Sequence, residues 1–250
     1  MERRMEATLH HLIARLRRAS SLTILTGAGI SAASGVPTFR GPSGLWRSFR
    51  PEELATPEAF GRDPALVWEW YDWRRSLIAA CHPNAAHDVI ARWSQRDGFT
   101  LITQNVDGLH ERAGTRHVVR FHGSIWRLRC AADCGAPEWE DLQTPLSPLP
   151  PRCASCGGLA RPGVVWFGEA IPQAAARAAQ ATTACEVFLS IGTSSVVYPA
   201  AGLLHEARAR GAFTVEINPV ATELSSTLDL SIQMPAEEAL PELERGRSAG

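Results

Sequence analysis

The chain has 250 residues, 45% of them hydrophobic and 20% charged, with a formal net charge of −1. At roughly 100–200 residues per domain this allows one large domain, or one with a small module, and the apolar content excludes intrinsic disorder. Nucleic acid and anionic membrane surfaces are excluded as partners, because each calls for a basic footprint that a balanced charge does not supply.

All 25 basic residues are arginines. Without lysine there is no phosphate-cradling P-loop, no Schiff-base chemistry and no kinase-type mechanism, and the chain has no lysine side chain of its own to be acylated. No run approaches the roughly 18–20 apolar residues of a membrane span. Residues 1–20 lack the continuous apolar stretch and small-residue cleavage site of a secretory signal. A cytoplasmic protein is therefore expected. Six cysteines in a chain this long do not make a disulfide scaffold, and four of them fall in two close pairs, which points to a metal.

In chain order, Leu9, Leu12, Ile13 and Leu16 recur at helical spacing, which predicts an amphipathic helix over 5–18. A short β-rich run at 22–26 leads straight into Gly27-Ala28-Gly29, and a Gly, Pro and Ser-rich loop is expected from 34 to about 51. Helices are predicted over 64–80 and 84–95, and buried strands at 99–103 and 117–121. From 127 to 161 the periodicity fades; the segment holds five of the 17 prolines and the paired cysteines, so it reads as an inserted module. Alternation then resumes with strands at 163–167, 186–191 and 212–217, helices at 172–184 and 198–210, a last strand near Leu230 and a helix over 236–245. Strands alternating with helices predict an α/β fold with a doubly wound, Rossmann-like parallel sheet. The expected organisation is a dinucleotide-binding domain in two parts, 1–125 and 162–250, around a zinc-binding module at 126–161.

Gly27-Ala28-Gly29-Ile30-Ser31-Ala32 fits G-x-G-x-x-G/A directly after a strand, where glycines let backbone approach a pyrophosphate. A tight strand–helix turn would use the same residues. A dehydrogenase would offer an acidic residue about 20 positions on, at the end of a second strand. Here that region is Gly41-Pro42-Ser43-Gly44-Leu45-Trp46, so hydride transfer loses weight.

Cys130-x3-Cys134, eighteen intervening residues and Cys153-x2-Cys156 make a four-thiolate zinc spacing. Four thiolates close the tetrahedron, so the metal is expected to be structural. The three-residue spacing of the first pair departs from the commoner two. Four arginines against four acidic residues within 127–161 are too few for a nucleic-acid-reading ribbon. Cys81 and Cys185 read as packing residues in helical surroundings.

Polar residues follow several predicted strands: Gln104, Asn105, Asp107 and His110 after the second, His122-Gly123 after the third, Thr193-Ser194 after Gly192, and Asn218. In an open α/β sheet ligands bind beyond the carboxyl ends of the strands. One such cluster alone would be turn chemistry; four on one edge with a glycine loop make a site. His122 is the leading titratable candidate. His10 and His11 lie on the first helix, His82 precedes a proline and His205 sits within a helix, while His110 and His117 stay in contention.

With these motifs the sequence resembles the sirtuins, NAD-dependent protein lysine deacylases, from about residue 22 to 243. GAGISAASGVPTFRG at 27–41, TQNVDGLH at 103–110, HG at 122–123, RPGVVWFGE at 161–169 and GTSSVVYPA at 192–200 stand in that family's order, with the cysteine pairs where the family places its zinc module. The resemblance implies that Gly27, Ala28, Gly29, Ser34, Pro37, Phe39, Arg40 and Trp46 line the NAD loop. It places Gln104, Asn105 and Asp107 at the ribose and nicotinamide pocket, Ile30 beside the carboxamide, and Gly192, Thr193, Ser194, Asn218 and Ala236 at the adenosine half. It makes His122 the general base, with Asn105 beside it in the chemistry, and residues 164–169, including Val165, Phe167, Gly168 and Glu169, an edge that takes the substrate peptide as an added strand. The implied reaction consumes NAD as a co-substrate: the acyl-lysine amide oxygen attacks the anomeric carbon, nicotinamide leaves, and, with one water taken up, lysine and 2′-O-acyl-ADP-ribose result. One structural zinc ion completes the set, and a monomer acting on acylated proteins is expected.

Tyr71 and Arg74 are three apart on the predicted helix and share a face near Val67, Trp70 and Ile78. An arginine there could snorkel to water or pair with an acid; as a receptor it would fork onto a carboxylate with the phenol adding a donor. The Tyr-x-x-Arg pair looks like that of the desuccinylating and demalonylating branch, and Ala55 matches a position where that branch leaves room for a longer chain. Succinyl, malonyl and acetyl removal are therefore expected. Gly163 stands where the family commonly has His or Asp. The alternatives are a deacetylase without acidic preference, an ADP-ribosyltransferase, and an NAD or ADP-ribose sensor.

Overall fold

The computed structural model describes residues 2–37, 50–194 and 197–248. Helix α1 (Glu2–Arg18) carries Leu12 and Leu16 into the core and leads to β1 (Leu22–Thr26), every residue of which is buried. A 3-10 turn (Ala28–Ser34) follows, then three helices, α2 (Pro51–Leu54), α3 (Pro57–Arg62) and α4 (Pro64–Ala79). Two of these helix starts are set by neighbouring residues. The Thr56 side chain accepts from the Ala59 amide at 3.1 Å and the Asp63 side chain from the Leu66 amide at 3.0 Å, each followed by a proline in the first helical turn. Asn84 caps α5 (Ala85–Trp93) in the same way, and β2 (Phe99–Thr103), α6 (Leu109–Arg112) and β3 (Val118–Arg120) complete this half.

The middle of the chain forms β4 (Gly123–Cys130), β5 (Trp139–Glu140) and β6 (Ala160–Val164); α7 (Gln173–Ala181), β7 (Val187–Ile191), α8 (Ala200–Ala209), β8 (Phe213–Ile217), β9 (Leu230–Ile232) and α9 (Ala236–Ser248) follow. Six strands form one parallel sheet in the order β3-β2-β1-β7-β8-β9, and three form a small antiparallel sheet in the order β5-β4-β6. The main sheet is the expected doubly wound α/β arrangement.

The strand expected at 163–167 runs instead from Ala160 to Val164 and belongs to the small sheet, antiparallel to β4. Its β-like composition is legible in the sequence, but the choice of pairing partner is non-local. Cys185 lies between α7 and β7 rather than in a helix. The short helices α2, α3 and α6 add to the expected elements; each is too brief to show a 3.6-residue period.

Apolar side chains gather on both faces of the main sheet. One cluster joins Leu12, Leu16, Val89, Ile90, Leu240 and Leu243 to Ile24 and Leu101. Another packs Leu203, Leu204 and Ala207 on Leu25, Ile102 and Phe188. A third unites α3 and α4 with Ile125, Leu128 and Trp166 of the small sheet and its flank. Arg75, fully buried, joins α4 to that unit: it donates to the carbonyls of Ile125 (2.7 Å), Asp141 (2.7 Å) and Gln143 (2.9 Å) and stacks over Trp126. No helix among the described residues is long and apolar enough to cross a membrane.

Candidate active site

The strand order reverses between β1 and β7, and the loops leaving those two strands meet there. Such a switch point is where an open α/β sheet offers a crevice. The Gly27 amide donates to Ile191 O at 3.0 Å and the Gly29 amide to Gly192 O at 2.8 Å. A Cβ on Gly29 would lie 2.7 Å from the Gly192 Cα and carbonyl oxygen, and Gly192 itself has φ of +61°. Both positions thus require glycine, because the backbones of the two loops approach too closely for a side chain.

Around these glycines the residues after β2 form one connected hydrogen-bond network. Asn105 Nδ2 donates to Gly27 O (3.0 Å) and Ser31 Oγ (3.2 Å), and Gln104 Nε2 to Thr193 Oγ1 (3.1 Å). Ser31 Oγ donates to Asp107 Oδ2 at 2.8 Å, while Asp107 Oδ1 accepts the Leu109 amide at 2.9 Å. Both Asp107 oxygens are therefore committed to protein donors, and its burial raises the pKa. Trp126 Nε1 donates to Asp107 O at 2.6 Å, which ties the small sheet to this loop. Ile30 is fully buried, and Ser34 Oγ accepts from Asn84 Nδ2 at 3.0 Å. Ala28 and Pro37 are half-buried nearby in the chain, and Ser194 and Asn218 are half-buried after β7 and β8. The Asn218 backbone amide donates to Ile232 O at 3.1 Å, and Ala236 opens α9, which packs on the 3-10 turn. Phe39, Arg40 and Trp46 lie outside the described residues.

His122 is half-buried after β3, with Nδ1 3.0 Å from Gln104 O. A carbonyl can only accept, so Nδ1 carries the hydrogen and Nε2 presents a lone pair. Burial pulls the pKa of this imidazole below its ordinary value, which keeps the ring neutral at physiological pH, with the Nε2 lone pair able to accept a proton. His110 has a different fate. It is buried, with Nε2 3.0 Å from Thr26 Oγ1, and its ring lies 4.7 Å from that of His87. His87, not among the expected site residues, sits under Ser31 and Asn84. Its position three residues past an Asn helix cap is the signal the sequence offers for it.

The segment 165–169 runs past His122. The Val165 amide donates to His122 O at 3.0 Å and the Phe167 amide to Ala55 O at 2.9 Å. Glu169 Oε2 accepts the Trp166 amide at 2.8 Å, which curls the chain into a turn through Gly168 (φ +85°) and leaves Phe167 exposed. Trp166, absent from the expected site, is buried and donates from Nε1 to the Tyr71 hydroxyl at 2.9 Å. Tyr71 and Arg74 are 3% and 5% exposed, and Arg74 lies 5.3 Å over the Trp70 ring. Burial lowers the Arg74 pKa, against the opposing fields of Tyr71 and Asp107, and raises that of Tyr71.

The thiolates of Cys130, Cys134, Cys153 and Cys156 all lie within 4.8 Å of one another. Cys130 and Cys156 sulfurs are 3.6 Å apart and those of Cys134 and Cys153 are 3.7 Å apart. Four sulfurs about 2.3 Å from one zinc ion define edges of about 3.8 Å, so the set fits a tetrahedral structural zinc. The three-residue spacing is accommodated, with Asp133 at φ +46° inside it.

A family model described as Sir2 family matches residues 27–199. A protein of Aquifex aeolicus named NAD-dependent protein deacylase is 52% identical over 222 residues, covering 88% of this chain and 92% of its own. A solved structure described as a mutant Sir2 homologue with 2′-O-acetyl ADP ribose is 44% identical with TM-score 0.90, covering 96% of both chains. Another, described as Sir2 with p53 peptide and NAD+, is 27% identical with TM-score 0.83, covering 96% of this chain and 98% of its own.

Proposed function

This chain belongs to the Sir2 family, and within its NAD-dependent protein deacylase activity we propose that it removes succinyl and malonyl groups from protein lysines as well as acetyl. One observation carries the finer reading. Tyr71 and Arg74 are buried on one face of α4, and the Tyr71 hydroxyl accepts from Trp166 in the segment that is hydrogen-bonded to His122. A guanidinium kept out of water beside a phenol is matched to a short dicarboxylate half-ester or half-amide. Ala55, whose carbonyl holds the Phe167 amide, adds no side-chain bulk at the entrance.

NAD supplies an anomeric carbon with a leaving nicotinamide. The Gly27–Gly29 cradle would hold its phosphates, Asn105 and Gln104 its ribose side, and Ile30 with the buried Asp107 a dry end for the nicotinamide. His122, neutral with its Nε2 lone pair available, would take the proton from a ribose hydroxyl as that oxygen attacks the acyl carbon; the C–N bond to lysine then breaks, the amine leaves protonated, and a water completes the acyl ester. The segment 165–169 would align the peptide backbone. Zinc on the four thiolates would hold the small sheet, and so β4 and the turn at His122, in place.

The field of Asp107 on Arg74 favours a second reading, in which Arg74 serves as a structural counter-charge and acetyl groups are the main substrate. One peptide prepared in acetyl-lysine and succinyl-lysine forms separates the two. Nicotinamide, free-lysine peptide and acyl-ADP-ribose are followed by mass spectrometry. Faster NAD-dependent turnover of the succinyl form is expected; turnover of the acetyl form alone would overturn the acidic-acyl reading. NAD loss without an acylated peptide would mark an ADP-ribosyltransferase.

A further inference from the structure

Trp166 is held on every side. Its ring lies 3.4 Å from the Arg161 guanidinium and 5.2 Å from the Phe60 ring, and its amide is bonded to Glu169. Glu169 in turn receives both Arg161 nitrogens, at 2.6 and 2.9 Å. Arg161 also donates to Val164 O, so the fork pins the indole between β6 and the turn that follows. The indole N–H can only donate. The Tyr71 oxygen therefore accepts from it, and the phenol's own hydrogen has no acceptor among the described residues. That bond draws on the oxygen's acceptor capacity and leaves the phenol's hydrogen to be donated, since a buried O–H without an acceptor is costly.

We propose that Trp166 is a positioning residue for acyl selectivity, holding the Tyr71 hydroxyl as a hydrogen-bond donor toward a carboxylate on the acyl chain. The inference rests on the acidic-acyl reading above and names what sets its polarity. A hydroxyl left free to rotate would serve a neutral acyl amide or ester as readily as an anion. A hydroxyl whose oxygen is already occupied favours an acceptor-only group, which a carboxylate is.

The test is a double-mutant cycle read as the ratio of kcat/KM on succinyl-lysine and acetyl-lysine peptides. Trp166→Phe is expected to lower that ratio about fivefold, the scale of one hydrogen bond, through KM for the succinyl peptide. In a Tyr71→Phe background the same substitution is expected to lower the ratio no further. Benzothienylalanine at position 166 keeps the ring shape, lacks the N–H, and should reproduce the effect if Trp166→Phe folds poorly. Parallel loss on both peptides would show a merely structural role and overturn the proposal, as would an equal further loss in the Tyr71→Phe background. Arg74→Met is run alongside. If that variant alters the ratio and Trp166→Phe does not, the positioning role fails while the acidic-acyl reading stands. If Arg74→Met leaves the ratio unchanged, the acidic-acyl reading fails and takes this proposal with it.

Discussion

Replacing Arg74 with Met removes a cation and keeps a side chain of similar length on the apolar wall beside Trp70. Arg74 is 5% exposed, so a carboxylate meeting it would do so away from water. Each hydrogen bond to a charged group is worth about 1.5–3 kcal/mol. Losing a forked pair, less the water regained by the free carboxylate, comes to about 3 kcal/mol, or about a hundredfold in kcat/KM on a succinyl peptide. An acetyl peptide has no carboxylate and is expected to lose far less, about threefold or under, from altered shape alone. Stability gives a second readout. Arg74 has already lost its hydration in the fold, so an apolar replacement is expected to shift Tm by no more than about 4 °C, the scale of 1 kcal/mol in a chain of this size. The assay is steady-state kinetics on both peptides, with a thermal melt of each protein. Equal losses on the two peptides, together with a large fall in Tm, would refute the receptor role and leave Arg74 as the counter-charge of Asp107.

Metal analysis of the intact protein is expected to find one zinc per chain, and Cys156→Ser to lower both that content and Tm by about 10 °C or more; full zinc content in the variant would count against the four-thiolate site. Burial pulls the His87 pKa down to about 4 and that of His110 below its ordinary value, with the neighbouring His87 adding to the latter. Their folded pKa values lie below the unfolded one near 6.5, so the unfolded chain binds protons first and stability drops as pH falls from about 6.5 toward 4. Asp107, raised by burial, works in the opposite sense. Urea midpoints at pH 7.5 and 5.5 should therefore decrease with acid, and less steeply in His87→Gln; an identical slope in the variant would rule out His87 as a source.

Much of this molecule is written in short, local strings. The buried run at Leu22–Thr26 followed by glycine, the alternation of strands and helices, and the four cysteines at metal spacing each depend on a few neighbouring residues. Periodicity, steric freedom and ligand chemistry act at that range, so fold class, zinc set and glycine cradle are legible in the residues alone. His122 ranks first among the histidines on the same grounds, though sequence does not separate it from His110. That distinction needs burial: one imidazole is half-buried and has no partner on Nε2 among the described residues, and the other is enclosed against Thr26 and His87.

Arg74 and Arg75 show where sequence stops. They are the same residue type, side by side on one helix; the Tyr-x-x-Arg spacing singles out Arg74, but nothing in the sequence says what either guanidinium touches. About 100° of helical rotation sends Arg75 into the small sheet, where three carbonyls hold it, and Arg74 toward Tyr71 and Asp107. Trp166 likewise acquires its meaning from a hydroxyl 95 positions away in the chain. The sequence determined which chemical groups are available and the order of elements that carry them. Only tertiary packing, by excluding water from some of those groups and bringing distant ones within hydrogen-bond reach, decided which would be clamps and which would face a ligand.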